Sequence, residues 1–321
     1  MTIDRSVLEA IELQDTDVLL RAVDQYCKGR QWDSLLELRS RCQEAVTRGR
    51  QLWGIEENIR YRLALEAPPS WAGPAVTEGP TRFTLGPLAE VAASTKTWDE
   101  IQPHLEQGPS RSTVAAERVI RGDVVEGEIP DLPGSIQPWE PTYPTATYKP
   151  DKVETPPPPL AHLEPSELPG AGHIVDDLDS EAALSDLVAP WTAESNGRSQ
   201  VVTVEGNALA AISALGLGHA RTGRLDPSSA LAWMAWAGAS GGAHGRRRGA
   251  AAGRYGAWWV VATLADLEWS PDPDQVGYAL GRMGCYWFDD GAPGTGWELR
   301  IAIEDPDSGL AWAISAVDQA D

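Results

Sequence analysis

Residues 130–169 read PDLPGSIQPWEPTYPTATYKPDKVETPPPPLAHLEPSELP, and this stretch decides how the chain divides. It holds 12 of the 25 prolines, among them the run Pro156 to Pro159. Proline fixes φ and has no N–H to give to a helix or a ladder. The segment is therefore expected to be extended, partly polyproline II, and to separate two folded parts. Trp139, Tyr143 and Tyr148 are spaced through it, so the strap is either pinned to a domain by its aromatics or solvated. The division that follows is an N-terminal domain over 1–124, an acidic proline-rich linker over 125–170 and a C-terminal domain over 171–321.

Upstream of the linker the apolar residues recur at helical spacing, as with Val7, Leu8, Ile11, Leu19, Leu20 and Val23. One internal repeat is visible without gaps. VLLRAVDQYCKGRQWDSLL, residues 18–36, aligns at an offset of 66 with TLGPLAEVAASTKTWDEIQ, residues 84–102, matching Leu19 to Leu85, Trp32 to Trp98 and Asp33 to Asp99. Each Trp-Asp step reads as a helix start, with Asp capping free N–H groups and Trp stapled to the first turn. The expected unit is a helix, a short turn and a second helix, stacked as two to four hairpins.

Downstream, the acidic and apolar stretch over 174–188 predicts a short helix entering the second domain, or a linear motif for a partner. Gln200 to Val204 is a β-branched run, Asn207 to Leu215 reads as a helix, and Asp226-Pro227 opens another through Trp236. Near the end the period changes to two: Trp297, Leu299, Ile301 and Ile303 alternate with Glu298, Arg300 and Ala302. After the turn signal Asp305 to Gly309 the alternation resumes at Trp312 and Ile314, which predicts a β-hairpin, with Cys285 to Phe288 as a third strand. Eight of the 14 tryptophans lie between Trp233 and Trp312. They imply a dense aromatic core or an aromatic-lined pocket. The fold class expected is mixed: an all-α, repeat-like helical-hairpin domain, a proline-rich linker, and an α+β Trp-rich domain.

The net charge of −21 excludes broad electrostatic binding of nucleic acid or an anionic membrane. Counted by region it is −4 over 1–124, −11 over 125–198 and −6 over 199–321. Cys27, Cys42 and Cys285 are odd in number and have no CxxC spacing, as expected of free thiols in a reducing compartment. The opening Met-Thr-Ile-Asp-Arg lacks the pattern of a signal peptide, and no apolar run approaches the roughly 18 residues that span a bilayer. The expected location is the cytoplasm.

Against this acidic background stands the Gly/Arg-rich segment 238–256, GASGGAHGRRRGAAAGRYG. On one reading Gly245, Gly249, Gly253 and Ala257 form a small-residue stripe for close helix packing. On the other, a loop precedes a helix starting near Arg246. Free N–H groups and guanidinium groups would then hold a phosphate or carboxylate. The anion-site candidates are His244, Arg246, Arg247, Arg248 and Arg254, with Arg247 and Arg254 sharing a face at i, i+7.

Neither a GxxxxGK[ST] nor a strand-GxGxxG-helix pattern is present. Gly238 to Gly242 satisfies GxSxG around Ser240, but the preceding residues look helical and the only later histidine is His244. Asp289 and Asp290 precede Gly291 as a turn would. The five histidines are scattered, so no catalytic residue, metal site or cofactor is assigned. The function expected is that of a non-enzymatic adaptor or scaffold with a protein partner. The alternative is a C-terminal domain that binds, or acts on, a small anionic ligand. Nucleic acid and membrane are not expected partners.

Overall fold

The computed structural model describes residues 3–77, 81–292, 294 and 296–319. The chain forms two compact units, each assembled from two stretches: Met1–Ile129 with Ala146–Glu154, and Pro130–Thr145 with Thr155–Asp321. The N-terminal half is helical and the C-terminal region contains the large sheet, a mixed α and β architecture.

The first unit begins with α1 (Arg5–Leu13), α2 (Thr16–Lys28), α3 (Trp32–Thr47) and α4 (Trp53–Glu66). Asp4 and Asp15 cap α1 and α2, accepting from the backbone N–H of Ser6 and Val18. Such a bond satisfies one of the donors that a helix start leaves open. Leu19, Val23, Leu35, Leu38, Leu52, Ile59 and Leu63 are fully buried in one core. Each contributes about 1.5–3 kcal/mol by leaving water. Because α4 is covered on nearly all sides, its polar residues need internal partners: Arg60 donates to the Ala75 carbonyl at 3.1 Å and Arg62 to Asp24 at 2.5 Å.

The unit continues through α5 (Pro69–Thr77), α6 (Leu88–Ala93), α7 (Trp98–Ile101), a 3-10 turn at Gln102–His104, and α8 (Pro109–Ile120). Helices do start at Trp32 and Trp98, yet the aspartates are not the caps. Asp33 and Asp99 sit in first turns, while at the second start Glu100 accepts from the Thr97 N–H at 2.9 Å and its hydroxyl at 3.0 Å. The two aligned copies part after that point, since α3 has 16 residues and α7 has 4. A short ribbon of β1 (Thr147–Tyr148) and β2 (Val153–Glu154) completes the unit. Tyr148 is buried there, donating to Glu90 at 2.6 Å.

In the second unit the strands are β3 (Glu164–Ser166), β4 (His173–Ile174), β5 (Arg198–Glu205), β6 (Ala220–Leu225), β7 (Gly284–Asp289), β8 (Gly296–Asp305) and β9 (Leu310–Gln319). They form one antiparallel sheet in the order β3-β6-β7-β8-β9-β5-β4. The helices are α9 (Leu178–Leu187), α10 (Ala189–Ala193), α11 (Ala208–Ala214), α12 (Pro227–Ala239), α13 (Ala250–Leu264) and α14 (Pro273–Arg282). The hairpin β8-β9 pairs Ile303 with Trp312 and Ile301 with Ile314, and Gly309 closes its turn in the left-handed region at φ 71°. Period two sends Ala302 toward α11, whose Ala208 N–H donates to Glu304 at 2.8 Å. On the opposite face Trp297, Leu299, Ile301 and Ile303 stand on the side where α12 crosses β6, β7 and β8.

Between α12 and α13 the backbones come close. A Cβ on Gly253 would run into the Ala235 carbonyl oxygen, so glycine is the residue that admits this approach. The helix begins at Ala250, not near Arg246, and Gly249 precedes it at φ 97°. Of the small-residue series, Gly253 and Ala257 lie in α13, and Gly245 and Gly249 lie in the loop before it. Among the described residues no helix is long and apolar enough to cross a membrane.

Candidate functional site

α12 is apolar all round, and its Trp233 and Trp236, three residues apart, share one face. That face meets Trp287 of β7 and Trp297 of β8. Trp233 lies 4.3 Å from Trp287 between ring centroids, Trp236 stacks on Trp297 at 5.1 Å, and Trp233 meets Trp236 edge-on at 5.5 Å. The Trp236–Trp297 stack and the edge-on Trp233–Trp236 pair are geometries that the ring quadrupole favours, and Trp287 tilts 43° from Trp233. Trp233, Trp236 and Trp287 are buried and Trp297 is half-buried at the rim.

The four indoles line a pocket of about 680 Å³. Its other walls are Thr155, Pro157 and Leu160 from the proline-rich strap, Arg221 of β6, Asp289 of β7, Glu298 of β8, and the loop glycines Gly291 and Gly294. Trp233 Nε1 donates to the Pro159 carbonyl at 3.2 Å, and Trp236 Nε1 makes a longer contact of 3.5 Å with the Thr155 carbonyl. Arg221 grips Asp289 through two bonds, Nε to Oδ1 at 2.8 Å and Nη2 to Oδ2 at 2.7 Å. Burial works to raise the Asp289 pKa, but Arg221 and the Gly291 N–H outweigh it and hold the carboxyl below its usual range. The pocket thus offers aromatic surface, a fixed ion pair and the Glu298 carboxylate.

The sequence-derived anion candidates go to separate places. Arg246 is exposed and pairs with Glu194 at 3.1 Å. Arg248 donates to the Gly238 carbonyl at 2.8 Å and the Asp186 carbonyl at 3.2 Å, closing the C-terminal ends of α12 and α9. Arg254 is fully buried, and Glu140 accepts from its Nε and Nη2 at 2.8 Å each. Its remaining donors reach the Pro133 and Ser135 carbonyls at 3.1 Å. His244 is exposed, with its backbone N–H on Ser195 Oγ at 3.1 Å, and the half-buried Arg247 is not free.

Glu140 also accepts from Trp258 Nε1 at 3.0 Å, Tyr143 OH at 2.5 Å and the Gln137 N–H at 2.9 Å. Burial pushes its pKa up, yet these donors, Arg254 first, bring it below the ordinary value. The first part of the strap is therefore clasped to α13 by a closed polar network. Trp139 and Tyr143 belong to the same packing, and Trp139 lies 4.9 Å from Trp258.

Ser240, the serine of the GxSxG match, is buried and its hydroxyl accepts from Trp191 Nε1 at 2.9 Å and the Gly242 N–H at 3.1 Å. Cys27, Cys42 and Cys285 are all buried, and burial pushes each thiol up to about 12. Among the described residues no group of three or more His, Cys, Asp or Glu is placed to hold a metal ion.

An aromatic-lined pocket was among the expectations, but its strap wall and the Arg221–Asp289 pair were not. A signal was present: four consecutive prolines in a chain that also carries indoles at i, i+3 on an apolar helix. The model of a protein family described as a family of unknown function, DUF6183, matches residues 17–320. No curated protein and no solved structure matches the chain.

Proposed function

The chain belongs to the DUF6183 family, and we propose that it is a non-enzymatic cytoplasmic adaptor or scaffold that takes a segment of a protein partner into the Trp-lined pocket. The observation that carries this reading is the pocket itself: about 680 Å³, walled by four indoles, the strap and an internal ion pair. Rigid aromatic rings give large contact area at little conformational cost, which is why they dominate recognition surfaces. The carboxylate beside them is held as an anion by Arg221, which suits orientation of a ligand more than proton transfer. Helical hairpins of the kind read in the first unit would add a repeat-like surface for the same partner.

The test is a fluorescence and thermal-shift screen of the full chain and a Trp297→Ala variant against extended peptides and small anions. Trp297 is at the rim and half-buried. Peptides that bind should lose at least about 2 kcal/mol, some thirtyfold in affinity, in the variant. A screen in which every bound peptide is indifferent to Trp297 sinks the proposal.

The second reading, a small anion held by the arginine segment, asks the ligand to displace Glu194 from Arg246 or Glu140 from Arg254. Phosphate that raises the melting temperature in both proteins, and fails to do so in Arg246→Ala, would favour it.

A further inference from the structure

Along the strap, exposure has a period of three. Pro158 is buried while Pro156, Pro157, Pro159 and Leu160 are exposed, and Thr155 and Ala161, three residues to either side of Pro158, are half-buried. Three residues per turn is the repeat of the polyproline II helix, and this is the exposure expected of such a helix lying on one of its edges.

What it lies on is chemically matched to it. Four successive prolines have carbonyls but no N–H, a backbone that only accepts. An indole N–H only donates. Trp233 and Trp236 supply two such donors from one helix face to the carbonyls of Pro159 and Thr155, four residues apart along the strap. The strand β6 also makes room: a Cβ on Gly223 would run into the His162 carbonyl oxygen just beyond the proline run. Only one proline of the four is buried, so the strap is held by few contacts while the pocket continues beside it between Pro157, Leu160 and Trp297.

We propose that this indole face and the adjoining pocket form a recognition site for a proline-rich segment of a partner protein in the polyproline II conformation. The chain's own residues 155–161 hold the site as an internal ligand until the partner displaces them. The inference rests on the reading of the pocket as a partner site and names the partner's chemistry. Such a segment is ordered before it binds, so little entropy is lost on docking. A tethered competitor acts at an effective concentration of about millimolar, which an untethered segment must overcome.

The experiment uses the full chain and a synthetic peptide of residues 154–163, ETPPPPLAHL, followed by calorimetry and tryptophan fluorescence. Pro158→Asp loosens the strap without altering the indole face, and Gly223→Ala loosens it from the sheet side should the first variant not fold. A strap-loosened variant that keeps the wild-type near-ultraviolet circular dichroism should bind the peptide at least about tenfold more tightly than wild type does. Trp233→Phe in that background removes one donor and keeps a ring, and should weaken binding roughly two- to tenfold. A peptide with all four prolines replaced by alanine should bind at least about tenfold more weakly than the native one.

No saturable binding by any folded strap variant, or equal binding of the alanine peptide, overturns the inference. Ligands sensitive to Trp297→Ala are run on the same variants. If they bind and the proline peptide does not, the pocket reading stands and the polyproline assignment falls. If neither binds, both fall.

Discussion

Glu140 and Arg254 are 114 residues apart in sequence, and both side chains are essentially without solvent exposure. A buried pair of this kind adds little over an apolar replacement, but breaking it strands a charge in the interior. Glu140→Gln keeps the shape and leaves the Arg254 guanidinium unpaired. Urea denaturation should show a loss of about 3–5 kcal/mol. Glu140→Leu combined with Arg254→Met removes both charges and should recover part of that loss, the remainder reflecting the Trp258 Nε1, Tyr143 hydroxyl and Gln137 N–H donors left without their acceptor. If the single change costs under 1 kcal/mol, the clasp does not hold the strap. No pattern in the sequence announces this pair, because nothing local distinguishes Arg254 from its neighbours Arg246 to Arg248. The anion-site reading grouped them by proximity in sequence, and the fold gives Arg246, Arg248 and Arg254 three different sets of acceptors.

At the scale of elements, what depends on near neighbours could be read. The β8-β9 hairpin, α11 behind Asn207 and α12 behind Asp226-Pro227 all follow from alternation, capping residues and turn chemistry within a few positions. β6, ALA-ARG-THR-GLY-ARG-LEU over 220–225, could not: it carries two arginines and a glycine, and becomes a strand because β7 and β3 flank it. Long-range pairing overrides such weak local preference.

α13 begins four residues after the start near Arg246 that the anion-site reading of the segment expects. Three arginines are good helix formers, but the Arg248 and Gly249 N–H groups are taken by the Ala239 carbonyl instead. The close approach of α12 and α13 carries its own prediction. Gly253→Ala gains up to about 1 kcal/mol of helix propensity. It also forces a Cβ into the Ala235 carbonyl oxygen, a backbone atom that cannot turn aside. The net result should be destabilisation by about 1–3 kcal/mol in urea titrations; a more stable variant would mean the two helices are free to separate.

Taken whole, the molecule has two units, and neither is a single stretch of chain. Residues 130–145 and 155–170 carry the Glu140 clasp and the proline run, both on the second unit. A fragment of residues 171–321, the span the sequence suggests as a domain, would keep β4 to β9 but lose the edge strand β3, Glu140 and the cover over Trp233 and Trp236. Its unfolding midpoint should lie well below that of residues 130–321, with greater binding of a hydrophobic dye. Equal midpoints would make the strap a dispensable ornament of the sheet.

The strand order has a further consequence, for biosynthesis. β9 lies between β8 and β5, so it joins β3-β6-β7-β8 to β5-β4, and it is made after every other described strand. At about 5–20 residues per second, the ribosome takes roughly 5–20 s to travel from the end of β5 to the start of β9. Throughout that interval the edge of β5 that β9 will cover has no partner, and the edge of β8 joins it once β8 is made, both open to the wrong partner. Chaperone demand should therefore be set by the last strand to emerge.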